Sequence, residues 1–347
     1  MAKHVIFLIH GMGTFTKGWS EDTQKQISSL YATYNISKQL PFDELFRFEE
    51  ITYNGRFDTL RKQWKDSAAA VLKELKKGGL PDAAANDLAN TEAGSTTEEF
   101  FGSHVLDVLL YRFIPQVAEE ARALVAKRIQ DVISPKTGDL PRWSVIAHSL
   151  GTSVTHDSLH AMFTQQVNGR TLLGLTKAQA VVMVANVSRV LEQDTVDVYK
   201  SVVHPGLFEN GICDNYVNVF HEWDPFPRPK AFRPLADWPD VATRQSRPER
   251  FVSAAINAFQ HKNVHALSHY LSDPKTHVPI FRALLPIEGA ISDDELRKAS
   301  AIHEAATPFG QFEALQKELK KLQIAEESSW KQVIQAFKGF FATINEF

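Results

Sequence analysis

The chain has one cysteine, Cys213, among 347 residues. A single thiol forms no disulfide within the chain and no cysteine-based metal cluster, and a small buried side chain is the reading that fits it. Long apolar runs are missing as well. Val5–Ile9 is too short for a signal peptide or a membrane span, and no later stretch approaches the roughly 18 uninterrupted apolar residues that a span requires. The chain is therefore expected in the cytoplasm. Charge of one sign is also absent. With 38 Lys and Arg against 41 Asp and Glu the formal net charge is −3, so the basic footprint of nucleic-acid binding is missing and no nucleic-acid partner is expected. No internal repeat is visible. What remains is an ordinary globular composition, 44% hydrophobic and 23% charged, in a chain long enough for one large domain or two ordinary ones.

Val5–Ile9 is a continuous apolar, β-branched run that ends at a glycine-containing turn, which suits a parallel strand buried on both faces. Phe46–Tyr53 alternates weakly and ends at the turn signal Asn54-Gly55. Leu60, Trp64, Val71, Leu72 and Leu75 recur at helical spacing and predict a helix that stops near Gly78-Gly79. Residues 80–100 have little periodicity and read as a surface loop. Phe100–Ile133 reads as helix interrupted at Pro115, with Val117, Leu124, Ile129 and Val132 on its buried face. Trp143–Ala147, Ala180–Val187 and Tyr216–Phe220 are further strands. The prolines between 225 and 250 mark a long irregular loop, Leu267–Leu285 reads as helix, and the chain is helical from Asp293 almost to its end. Strands separated by helices predict a parallel α/β sheet.

Two motifs carry the chemistry. Ala147-His148-Ser149-Leu150-Gly151 follows a strand and opens an amphipathic helix. A serine nucleophile exposed on a strained strand–turn–helix needs small residues two before and two after it, and Ala147 and Gly151 meet that demand. The plainer alternative is that Ser149 only caps a helix. His10-Gly11-Met12-Gly13 follows the first buried strand, where glycine lets the backbone turn and approach a substrate oxygen. The alternative there is an ordinary strand-to-helix turn.

Together these motifs resemble the α/β-hydrolase superfamily, and the Ala-His-Ser-x-Gly form resembles its lipase-like esterases. The likeness covers residues 4–285 in order, through short motifs only. It departs from the commonest pattern at Ala147, where glycine is usual. The two strands that usually precede the His-Gly strand are missing, so the resemblance implies a shortened α/β-hydrolase: a mostly parallel sheet with helices on both faces. The expected division is a core over 1–290 with a helical cap-like segment at about 80–135, then a C-terminal helical extension over 291–347. The resemblance implies a Ser-His-Asp triad in the chain order serine, acid, histidine, with backbone donors for an oxyanion from Met12 and Leu150, or Gly11 in place of Met12. Asp224, past the late strand and before Pro225, fits the acid loop; Glu222 and Asp214 are alternatives. The histidine is His265, with His269 as the alternate and His261 and His277 behind them. Asn263 is read as the cap of a helix carrying both, which puts His265 in the first turn and His269 a turn deeper.

The implied activity is hydrolysis of a carboxylic ester, lipid or small-molecule, through an acyl-enzyme, with no cofactor and no metal. His156 and His160 lack the intervening glutamate of a zinc-protease helix. The alternative is a non-catalytic binding protein on the same fold. Phe100, Phe101, Val105, Leu109 and Tyr111 are candidates for an acyl pocket. Trp330, Val333, Ile334, Phe337, Phe341 and Ile344 make the last helix amphipathic. Docking on its own domain is the first expectation for that stripe; a homodimer contact and attachment to a membrane surface are the alternatives.

Overall fold

β1 (His4–Ile9) is buried at every position, as its unbroken apolar run requires of a strand covered on both faces. Around it the computed structural model builds one six-stranded sheet; it describes residues 3–89, 98–133, 141–164, 176–192, 197–206, 211–234, 251–285, 290–307, 312–322 and 328–346. The other strands are β2 (Phe46–Ile51), β3 (Trp143–His148), β4 (Ala178–Val184), β5 (Cys213–His221) and β6 (Phe251–Ile256). Their order is β2-β1-β3-β4-β5-β6, and every pairing is parallel.

Helices cover both faces. α1 (Glu21–Tyr31), α8 (Leu267–Ser272) and α9 (Pro274–Leu284) place Tyr31, Leu271 and Phe281 in one core with Ile6 and Leu8 of β1. The short α2 (Phe42–Leu45) and α10 (Asp293–Ala306) join that side. The opposite core holds Val5, Phe7 and Ile9. It is closed by α3 (Gly55–Lys77), α4 (Asp82–Ala89), α5 (Glu98–Phe113), α6 (Pro115–Ile133), α7 (Leu150–Thr164), α11 (Glu313–Lys321) and α12 (Trp330–Glu346). The two sets of β1 side chains alternate because successive residues of a strand point to opposite faces. Among the described residues no helix is long and apolar enough to cross a membrane.

The topology fixes where a site can form. From β1 the chain goes to β2 on one side, and β3 then lies on the other. At this switch the loops leaving β1 and β3 diverge and open a crevice at the carboxyl ends of the strands. Both motifs lie there: β1 runs into His10-Gly11-Met12-Gly13, and β3 into Ser149.

Two expectations need correction, and one strand went unforeseen. The stretch read as a surface loop over 80–100 contains α4, which buries Ala84, Ala85 and Leu88; alanine is the best helix former, so its abundance there favours helix. Residues 90–97 lie outside those described. On α6 the buried stripe is Val117, Ala121, Val125 and Ile129, one residue every turn, while Leu124 is 42% exposed. Finally, β6 follows the proline-rich segment unannounced. As an edge strand with half-exposed residues, Phe-Val-Ser-Ala-Ala-Ile lacks the branched apolar run of a central strand.

Candidate active site

Ser149 follows β3 with φ at +53°, a left-handed conformation rare for a residue with a Cβ. Its N–H donates to the Val184 carbonyl at the end of β4, and its own carbonyl accepts from Thr152 N–H. These bonds hold the turn between β3 and α7. A Cβ placed on Gly151 would come within 2.2 Å of the His10 carbonyl oxygen. Only glycine therefore lets α7 begin this close to the end of β1.

His265 lies in the loop before α8. Its Nε2 is 2.8 Å from Ser149 Oγ, and its Nδ1 is 2.7 Å from Asp224 Oδ2. An ionised carboxylate can only accept, so Nδ1 carries the proton and Nε2 offers its lone pair to the Ser149 hydroxyl. Asp224 is fully buried and also accepts from the Tyr270 hydroxyl at 2.8 Å and the Phe226 N–H at 3.0 Å. Burial acts to raise the Asp224 carboxyl, but the adjacent His265 and these hydrogen bonds hold it below the usual carboxylate range. Tyr270 is fixed in turn, because its oxygen accepts from His221 N–H.

Asn263 does not cap α8, as expected from sequence; the helix starts at Leu267, with Ala266 before it. Asn263 Oδ1 instead accepts from His265 N–H, a tight turn that presents the imidazole. His269 is fully buried in α8, next to the His221 and His261 rings. The acid alternative Asp214 is engaged by Lys177. His148 Nε2 donates to the His265 carbonyl at 2.8 Å, and burial first, then the neighbouring His265, pushes the His148 ring down to about 3.

The backbone N–H groups of Met12 and Leu150 have no hydrogen-bond acceptor among the described residues, although both residues are buried. Leu150 is the first residue of α7, so its N–H also lies at the positive end of a helix dipole. Gly11 lies so close to the serine that an added Cβ would be 2.9 Å from Ser149 Cβ.

Sequence reasoning missed what fixes the Gly11–Gly13 loop. Asp107, on α5, accepts from Gly13 N–H at 2.9 Å and pairs with Arg61 of α3. Arg61 also donates to the Gly13 carbonyl and to Thr14 Oγ1. The pair is buried, and burial pushes the Asp107 carboxyl up to about 7 against the pull of Arg61, so loss of Arg61 would leave Asp107 without a cation, whereas loss of Asp107 would leave Arg61 paired with Asp58. A signal was present: Asp107 is a lone carboxylate within Val105–Leu110, and a charge on an apolar stripe needs a partner. On the other side, His10 is stacked between Phe15 at 4.1 Å and Tyr53 at 4.2 Å, and the Tyr53 hydroxyl donates to the His10 carbonyl.

The expected acyl-pocket residues Val105, Leu109 and Tyr111 are core residues with no part in the cleft beside Ser149. The side chains of Phe100 and Phe101 lie outside those described. α5 contributes His104 to the cleft instead.

This arrangement holds a hydroxyl, a proton acceptor and a buried carboxylate together, a set that can activate the hydroxyl as a nucleophile. Comparison with protein families, with curated proteins and with solved structures returns no match to the chain.

If the loop receives an oxyanion in an acyl-transfer reaction, replacing Gly11 by alanine lowers kcat by about 10²–10³, the effect of losing one such donor, with a smaller change in KM. The added methyl would displace either the loop or Ser149. Steady-state kinetics decides; a raised KM with unchanged kcat would make the loop a simple pocket wall.

Burial also sets a pH response. His4 and His221 are lowered to about 4, His10 and His269 to about 3, and His277 to about 4, in each case chiefly by desolvation. Below 6.5 the unfolded chain protonates these rings while the folded chain does not, so stability falls as pH drops from about 6.5 toward 4. Urea midpoints are therefore expected to fall steeply over this range; a flat profile would mean that these rings are solvated or paired.

Proposed function

We propose that this chain is a serine hydrolase of the α/β-hydrolase type that cleaves a carboxylic ester. One observation carries the reading: a single imidazole bonds Ser149 Oγ with one nitrogen and Asp224 with the other. The parallel sheet, and the position of both loops at its switch point, agree with it.

In the proposed reaction Ser149 Oγ attacks the ester carbonyl carbon as His265 Nε2 takes the hydroxyl proton. Asp224 stabilises the resulting imidazolium, and the Met12 and Leu150 N–H groups receive the oxyanion. The tetrahedral intermediate collapses, the carbon–oxygen bond to the alcohol breaks, and His265 delivers its proton to the departing alcohol. Water then attacks the acyl-enzyme, giving a proton to His265. Release of the carboxylic acid returns that proton to Ser149.

The test is covalent labelling with a fluorophosphonate probe, followed by peptide mapping. The expected result is a single adduct on Ser149, absent in Ser149→Ala and in His265→Ala. An unlabelled native protein would instead fit a binding module on the same fold.

A further inference from the structure

The cleft beside the Ser149–His265 pair has a volume of ≈ 380 Å³. That is near the small end of the roughly 300–1,000 Å³ usual for ligand sites. A cleft of that size matches an acetyl or butyryl group more closely than a palmitoyl chain.

The lining has a definite chemistry. Phe15, Trp19, His104 and Phe341 contribute rings, and Leu267 adds an aliphatic surface. No lysine or arginine lines the cleft among the described residues. Its one carboxylate, Asp22, is exposed and paired with Lys25. An anionic acyl group entering here would leave its hydration shell without meeting a cation, at a cost that a neutral group of the same shape does not bear.

Phe341 is the unusual member, because it comes from α12, far from every other lining residue in sequence. It is 3% exposed. Its ring is 5.6 Å from His104 on the side of the Gly11–Gly13 loop, and 5.4 Å from Phe226 on the side of the base. Phe226 is stacked on His265 at 4.1 Å and on Phe337 of α12 at 4.1 Å. Phe341 therefore spans the gap between the two halves of the site. α12 is anchored behind it by the buried Val333, Ile334 and Phe340, so the ring is a fixed wall.

We propose that the site selects esters of small, uncharged acyl groups and that Phe341 of the C-terminal helix sets their size limit. This rests on the hydrolase reading above.

The experiment uses the full chain and a series of p-nitrophenyl esters from acetate through butyrate and octanoate to palmitate, with the hemisuccinate as the anionic counterpart of butyrate. Fluorophosphonate labelling is run beside it. In the native protein kcat/KM is expected to peak at the short neutral esters, with octanoate and the hemisuccinate each lower by about tenfold or more. Phe341→Ala should move the optimum to longer chains, Phe341→Trp to shorter ones, and Phe341→Leu should fall between native and alanine. The leucine and tryptophan variants keep the test intact if alanine destabilises α12. A labelled enzyme that prefers palmitate, accepts the hemisuccinate as well as butyrate, or keeps one chain-length profile in every Phe341 variant overturns this proposal alone. Absence of labelling overturns the hydrolase reading and the proposal with it.

Discussion

Ser149→Ala is expected to lower ester turnover by a factor on the order of 10⁶ while the protein stays folded. The change removes one oxygen and keeps the Cβ, so the left-handed turn at Ser149 gains no new contact. The hydrogen bond lost is the one to His265, and its net worth to stability is about 1 kcal/mol. His265→Ala should cost about as much activity as Ser149→Ala. Without the imidazole the hydroxyl keeps its proton, and the departing alcohol has no donor. Combining the two should cost little more than either alone, because groups that act on one proton transfer fail together. A residual rate about 10³–10⁴ above the uncatalysed reaction is expected from the backbone donors. Single-turnover kinetics on p-nitrophenyl acetate, with urea unfolding of each variant, measures both quantities. Native-like turnover in Ser149→Ala would remove the serine from the chemistry. Losses that multiply in the double variant would mean that the two residues act in separate steps.

How much of this was legible in the sequence depends on the range of the interaction. β1 and β3 were readable because strands covered on both faces concentrate branched apolar residues. The turn at Ser149 was readable because its strain leaves a local mark, small residues at Ala147 and Gly151. The sequence favours His265 over His269 only through a helix cap at Asn263, whereas the helix begins at Leu267. An asparagine taking the N–H two residues ahead looks the same in sequence whether it caps a helix or makes a tight turn. The Arg61–Asp107 grip was missed as a pair because its partners come from separate helices; sequence shows that a buried carboxylate needs a cation without showing which one. The last helix is the same case. Its aromatic stripe was visible, but the contact of Phe337 and Phe341 with Phe226 depends on where α12 docks.

Gly151→Ala is expected to destabilise the protein, and the sign of that change is the test. Gly151 is the second residue of α7. Judged by helix propensity alone, alanine there should stabilise the chain by about 0.5–1 kcal/mol, since glycine loses more backbone freedom on folding. Packing gives the opposite sign. The new Cβ would be 2.2 Å from the His10 carbonyl oxygen and 3.0 Å from that of Ile9. Both obstacles are backbone atoms at the end of the central strand, so no side-chain rotation relieves the clash. Either the start of α7 lifts off β1 or the His10–Gly11 loop moves, and overpacking of this kind costs about 1–3 kcal/mol. Gly55→Ala is the matched control. Gly55 begins α3, and a Cβ built there meets nothing within 4 Å. Propensity acts alone at that position, so alanine should be neutral or stabilising by about 0.5–1 kcal/mol. Urea unfolding of the two variants beside the native protein separates the effects. A Gly151→Ala midpoint at or above native would show that α7 and β1 are not in backbone contact. Opposite shifts in the two variants would show that the glycine is there for that contact, which sets Ser149 beside the His10–Gly13 loop.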